Sequence, residues 1–501
     1  MAVLKHAGVR ALSASATPSI AGSRARRLAL ALPVALAFAD ASIVLLALPE
    51  LVARLHTSVS HVVWVIVVYN LALIAASLAI RLAPDRFAVE PMLVAGLLLF
   101  GAASLAAGLV SDLTGLLVAR GFQGTGGAVL LCASLPPLAR ISNGGPSPLR
   151  TWSAAAAIGA AVGPAAGGVL TQLFDWRAIF IAQAPVAAVA AAVVWRIARA
   201  EREHPEFSDP VPTDARTEET AMAGSLAGAI RANVALMLLS AGLIGALFLS
   251  TLLLIDVWGL SPIAAAAVLV VLPLLTAVSG RLARGSDPTL AAAGGAVAVA
   301  VGVGLLALPS NRAVFVCVIA LALSGIGLGV SFAALTEEAL STGPTMLGRV
   351  ANTIVARDLG LVVGLLALTP IFVGQIGGLK DKAEPPLLNA VIASGLPRAV
   401  DLELASGLLK VANSAPQSQL PDISGPFEAV ERSHPSSAAT LRALAPKTES
   451  IIRSVATKAF RSSLLGAAGF ALLAAIVVLV PLPGRRTRGR APARGPTAAV
   501  G

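Results

Sequence analysis

Long apolar runs, separated by short polar breaks, fill most of this chain. They fall near 29–50, 61–81, 92–111, 113–139, 151–173 and 178–198, then near 232–255, 262–281, 289–308, 313–335, 351–376 and 462–482. A helix rises about 1.5 Å per residue, so roughly 20 apolar residues cross the hydrocarbon core of a bilayer. The pattern predicts an all-α membrane protein with twelve transmembrane helices in two six-helix halves. The polar stretch 199–231, which contains EREHPEFSDPVPTDARTEE, separates the halves as a linker. A tail at 1–28 precedes the first bundle, 29–198. The second bundle, 232–482, is interrupted by an insert at 377–461, and a basic tail follows at 483–501.

Charge placement orients the helices. With the N-terminus inside, the inner segments outside the insert hold 22 Lys and Arg, and the short outer loops hold only Arg54, Arg177 and Arg312. The positive-inside rule then puts both termini in the cytoplasm and the 377–461 insert outside. The net charge of +11 is thereby mostly topology, which leaves a nucleic-acid partner nothing to explain. Only 13% of residues are charged, far fewer than the roughly 25% of a soluble domain. Cys132 and Cys317 lie inside apolar runs and read as small buried hydrophobes, not as a disulfide. Trp64, Trp152, Trp176, Trp195 and Trp258 fall near span ends, where interfacial anchors belong.

A short repeat supports duplication. Arg81-Leu82-Ala83 closes the second span and Arg281-Leu282-Ala283 closes the eighth. In the fifth span Gly159, Gly163 and Gly167 share one helix face, with Pro164 and Gly168 beside them. Small residues at that spacing let a neighbouring backbone come close, and Pro164 bends the helix. Among charges inside the spans, Asp40 and Arg120 stand nearest the middle. A central charge costs roughly 2.5–3.5 kcal/mol on insertion scales, so it faces a cavity or a partner. Either a structural ion pair or a proton site satisfies that demand. Asp256, Glu337, Glu338 and Asp358 sit nearer span ends and are expected to be solvated there. No phosphate-cradling loop, metal-ligand cluster or cofactor motif is present, and the histidines lie in tails or loops. Nothing points to an enzyme.

Several stretches together resemble the major facilitator superfamily, in particular its drug:proton antiporters. GAAVGPAAGG at 159–168 is similar to their antiporter motif, and Trp176-Arg177-Ala178-Ile179-Phe180 with Pro185 to the entry of their sixth helix. ADASIVLLALP at 39–49 resembles the first-helix signature, with Ser42 and Leu45 as departures. LLVARGFQGTGGA at 116–128 matches the fourth-helix motif through Arg120, Gln123, Gly124 and Gly126. Trp64 and Tyr69 match a second-helix pattern, and Arg357, Leu359 and Gly360 an element of the penultimate helix. The gating loop is eroded: IRLAPDRFAVEP keeps Asp85 and Arg86 but loses the family's glycines and basic pair. The resemblance implies a proton-coupled exporter of small amphipathic or drug-like molecules, acting as a monomer by alternating access, with Asp40 and Arg120 handling the proton. Tyr69, Gln123 and Arg357 become candidates for the cavity or its packing. An uptake symporter or a non-transporting sensor on the same fold are the alternatives.

The topology has a direct check. Cysteine at Ser418 should react with a membrane-impermeant maleimide added to intact cells. Cysteine in the 199–231 linker should react only after permeabilisation. The reverse pattern would invert the protein in the membrane.

Overall fold

Each apolar run folds into a helix of membrane-crossing length. The computed structural model describes residues 20–82, 88–140, 147–203, 226–282, 286–308, 313–341, 345–414 and 423–481. The loop residues Asp85 and Arg86 lie outside these described residues. The spans are α1 (Ile20–Arg54), α2 (Val59–Leu82), α3 (Val89–Leu109), α4 (Leu113–Arg140), α5 (Pro148–Leu173) and α6 (Trp176–Ala200). They continue as α7 (Leu226–Val257), α8 (Pro262–Ser279), α9 (Pro288–Leu305), α10 (Val314–Ala339) and α11 (Met346–Gly377). Four further helices, α12 (Leu379–Ile392), α13 (Arg398–Ser414), α14 (Ser424–Ser433) and α15 (Ala438–Ala459), lead to the last span, α16 (Arg461–Leu479). With the last, twelve helices among the described residues are long and apolar enough to cross a membrane. The first begins at Ile20, before its apolar run, so part of the expected tail is helical.

Packing follows the duplication that the short repeat suggested. Helix α5 lies along α1, and α11 lies along α7 in the same relation. Helix α4 contacts α2 and α3, as α10 contacts α8 and α9, and α3 meets α6 as α9 meets α16. The principal contacts between the halves are α2 with α11 and α5 with α8, and one pairing becomes the other when the two halves are exchanged.

Glycine permits the closest of these crossings. A Cβ on Gly159 would strike the backbone of Ala35, and one on Gly163 would meet Ser42 Oγ and stand 2.6 Å from the Ala39 carbonyl. At Gly167 the Ile43 carbonyl would be 2.9 Å away. The second half repeats the arrangement: Gly360 lies on the Met237 carbonyl and Gly364 on that of Ala241. Gly168 has another task. It faces α8 across the boundary between halves, where a Cβ would meet Ala266 and the Pro262 carbonyl at 2.5 and 2.7 Å. Without a hydrophobic drive between helices in lipid, such backbone contact is a principal source of association.

The insert is helical and has a small core of its own, including Val391, Leu404, Phe427, Val430 and Leu441. Helix α15 ties it to the bundle. Trp258 Nε1, at the end of α7, donates to Thr457 Oγ1 at 3.1 Å, and Phe460 packs on Phe372 of α11 with ring centres 4.6 Å apart. This corrects the anchor reading for two tryptophans: Trp176 and Trp258 are buried inside the protein. Trp64 and Trp195 are exposed, as interfacial anchors would be.

Gly163 offers a stability test. Overfilling a packed contact costs about 1–3 kcal/mol. Gly163→Ala is expected to lower the Tm of purified protein by several degrees and Gly163→Leu to lower it further while the chain still inserts. Gly294→Ala, which meets nothing within 4 Å, should leave the Tm unchanged. Equal behaviour of the two alanine variants would reduce the α1–α5 contact to incidental packing.

Candidate functional site

Four helices deliver polar side chains to one buried point in the first half. Helix α1 contributes Asp40 from its middle. Helix α4 contributes Arg120 and, one turn on, Gln123. Helix α6 contributes Gln183, and α2 contributes the Val65 carbonyl and the Tyr69 ring. The glycines of the fourth-helix motif make the approach possible: a Cβ on Gly124 would collide with the Tyr69 carbonyl, and one on Gly127 would lie 2.6 Å from the Tyr69 hydroxyl. With α4 so close to α2, the Arg120 guanidinium sits 4.1 Å from the Tyr69 ring centre, within cation–π distance.

The bonds converge on the carboxylate. Arg120 Nη1 donates to Asp40 Oδ2 at 2.8 Å and Oδ1 at 3.0 Å, and to Gln123 Oε1 at 2.7 Å. Gln123 Nε2 and Gln183 Nε2 both donate to Asp40 Oδ1, at 3.0 and 3.1 Å. Arg120 Nε donates to the Val65 carbonyl at 3.1 Å. Asp40 is 0% and Arg120 1% exposed. Burial of this pair is tolerable because the carboxylate accepts from three side chains and the guanidinium donates to carboxylate, amide and backbone carbonyl oxygens. Every contact to Asp40 comes from a donor, an arrangement that suits an ionised carboxylate. An O–H at Oδ2 would face Arg120 Nη1, which donates there, while Oδ1 would keep its acceptor lone pairs.

A second ion pair lies in the other half. Arg357 Nη2 donates to Asp358 Oδ1 at 2.9 Å and Oδ2 at 3.1 Å, and Asp358 is 1% exposed. The expectation that Asp358 is solvated is thereby corrected: α11 continues well beyond it in both directions, and helix packing encloses it. Glu338 is likewise paired, with the buried Arg231 at 2.7 Å, and Arg231 also donates to the Val478 carbonyl at 3.1 Å. These contacts join α7, α10 and the end of α16. Asp256, in a wide π turn ending α7, and Glu337 are exposed as expected. The candidates Asp40, Arg120, Gln123 and Tyr69 therefore meet at one point, whereas Arg357 faces them from α11. Gly159, Gly163, Pro164, Gly167 and Gly168 frame the helix behind. Gln183 escaped the sequence reading, although a glutamine inside the apolar run 178–198 was its signal.

Residues 30–376 match the sequence profile of the Major Facilitator Superfamily. The chain belongs to that superfamily. The matched region covers α1 to α11 almost completely, and the four-helix insert and α16 lie beyond it. The chain is 31% identical over 192 residues to the drug efflux pump JefA of Mycobacterium tuberculosis, which is 37% of this chain and 36% of that protein. It is 32% identical over 190 residues to the tetracenomycin C resistance and export protein of Streptomyces glaucescens, 36% of this chain and 34% of that one. These matches span about a third of each relative's length. Among solved structures, the bacterial homologue of the human lysosomal transporter Spinster, inward-facing and occupied, superposes with a TM-score of 0.61. That match covers 90% of this chain and 95% of the other at 16% identity. This superfamily member thus has the helices of a multi-pass membrane protein and efflux pumps among its relatives.

The Asp40–Arg120 pair has an energetic signature. Breaking a buried pair from one side costs about 3–5 kcal/mol, because the remaining charge is stranded. Arg120→Ala alone is therefore expected to destabilise the purified protein more than Asp40→Asn/Arg120→Ala together, by thermal unfolding in detergent. A double variant less stable than the single one would show that Asp40 does not depend on Arg120.

Proposed function

We propose that the protein is a proton-coupled exporter of small amphipathic molecules. It works in the cell membrane as a monomer with both termini cytoplasmic. The observation that carries this reading is the buried carboxylate Asp40, at the centre of the first half and held by Arg120, Gln123 and Gln183, donors whose hold weakens when the carboxylate loses its charge. The names of the relatives, a drug efflux pump and an antibiotic export protein, support the direction.

In this mechanism the two halves rock about the α2–α11 and α5–α8 contacts, which alternately opens the interface to each side of the membrane. Open to the outside, Asp40 takes up a proton, and its bonds to Arg120, Gln123 and Gln183 loosen. Open to the inside, the proton leaves, and the three donors close on the carboxylate again. Each donor set belongs to a different helix, α4 or α6, so protonation changes how those helices are tied to α1. Substrate occupies the interface on the outward stroke and the proton on the inward one. Efflux accordingly rises when the outside is more acidic than the inside.

Reconstituted protein tests the coupling. In proteoliposomes a pH gradient should drive efflux of an amphipathic dye, and a protonophore should abolish it. Asp40→Asn is expected to remove gradient-driven movement, more than about tenfold in rate, yet to retain exchange of labelled for unlabelled dye, because exchange needs no proton to leave. Gradient-driven efflux at the normal rate in Asp40→Asn would sink the assignment of the proton to this carboxylate.

A further inference from the structure

Arg357 is under-used by its own half of the protein. Its Nη2 holds Asp358, but Nε and Nη1 are buried and meet no acceptor. The guanidinium lies 4.3 Å from the ring centre of Phe38, and Phe38 in turn meets Trp152 edge-on at 5.7 Å and 87°. Phe38 is on α1 and Trp152 on α5, whereas Arg357 is on α11, so the cluster bridges the two halves. Tyr69 is close by on α2, within electrostatic reach of Arg357 and Asp358, and its buried hydroxyl has no partner either.

The charges here are already balanced. Asp40, Arg120, Arg231 and Asp358 are the buried charged residues among the described ones, and each has its counter-charge. A cation entering this boundary meets no unpaired buried carboxylate. An oxygen acceptor, in contrast, meets guanidinium N–H groups that have given up water and gained nothing, the costly state for a buried donor. Flat rings beside them supply apolar area and edge-to-face contacts.

We propose that Arg357, with Phe38 and Trp152, forms a binding subsite for the carbonyl oxygen of neutral, flat aromatic molecules. The oxygen accepts from Arg357 Nε or Nη1 while the ring lies alongside Phe38 and Trp152, and Asp358 keeps the guanidinium in place. This deepens the transporter reading by assigning a substrate class to the boundary between the halves, and it rests on that reading. Tyr69 offers its hydroxyl to the same oxygen-bearing ligand. Permanent cations are disfavoured.

Three fluorescent probes on one three-ring frame separate the chemistries: N-methylacridone carries the carbonyl, anthracene carries no acceptor, and N-methylacridinium is a permanent cation. Equilibrium binding is measured on full-length protein in nanodiscs, with empty nanodiscs subtracted. The wild type is expected to bind N-methylacridone about tenfold or more tightly than either other probe, in keeping with a hydrogen bond to a charged donor. Arg357→Leu/Asp358→Leu removes the pair without stranding a charge, and it should erase that preference while anthracene binding stays the same. Arg357→Lys keeps the charge but loses the planar donors, and it carries the test if the double variant does not fold. Unchanged N-methylacridone affinity in the folded variants overturns the proposal. So does an equal loss for all three probes, which would make the pair a packing element, or a selective loss of N-methylacridinium, which would make Asp358 the recognising group. Binding needs no proton gradient. A protein that shows the carbonyl preference but no gradient-driven efflux contradicts the exporter reading and leaves the subsite standing.

Discussion

Lipid offers no counter-ion and no hydrogen bond, so every charge enclosed by this bundle has to be answered from within it. The Asp40–Arg120 pair meets that demand most completely. Its two side chains come from different helices, and Gln123, Gln183 and the Val65 carbonyl, on three helices between them, complete their bonding. Because the partners are spread over α1, α2, α4 and α6, a single buried pair ties together most of the first half. An exposed surface pair would be worth little. Burial turns the same chemistry into a tie between helices.

Close helix approach surrounds that tie. Helices α1 and α5 run backbone to backbone at Gly159 and Gly163, and Gly124 lets α4 settle on α2 beside Arg120. The second half uses Gly360 and Gly364 in the same way against α7. It brings its own buried pair up to the first half: Arg357 precedes Gly360 on α11 and faces Phe38, two residues before Asp40. Duplication therefore supplied two similar scaffolds, and the two carry different polar chemistry, a fully bonded carboxylate in one and a partly bonded guanidinium in the other.

The insert belongs to neither scaffold. Helices α12 to α15 bury a small core of their own and touch the bundle through Thr457 and Phe460, near the ends of α7 and α11. Helix α15 is separated from α16 by Phe460 alone, so the cap joins the last span without an intervening loop. The region matched by the superfamily stops just before this cap, at residue 376.

Much of this was legible in the sequence. Run length alone specifies membrane helices, since crossing the hydrocarbon requires about 20 apolar residues whatever their neighbours. The four-residue glycine spacing at 159–167 and the motif residues Arg120 and Gln123 marked the helices that approach most closely. Other features depended on contacts that run length and spacing do not encode. Asp358 was placed near the start of the run 351–376, but α11 begins at Met346 and neighbouring helices close over the side chain. Trp258 looked like an interfacial anchor until α15 covered it and supplied Thr457. Gln183 became a ligand of Asp40 only when α6 turned that face inward. Local pattern determines which segments enter the membrane, because transfer from water to lipid is a property of each segment. Which polar atom meets which is decided by how twelve such segments pack, and only the tertiary structure holds that information.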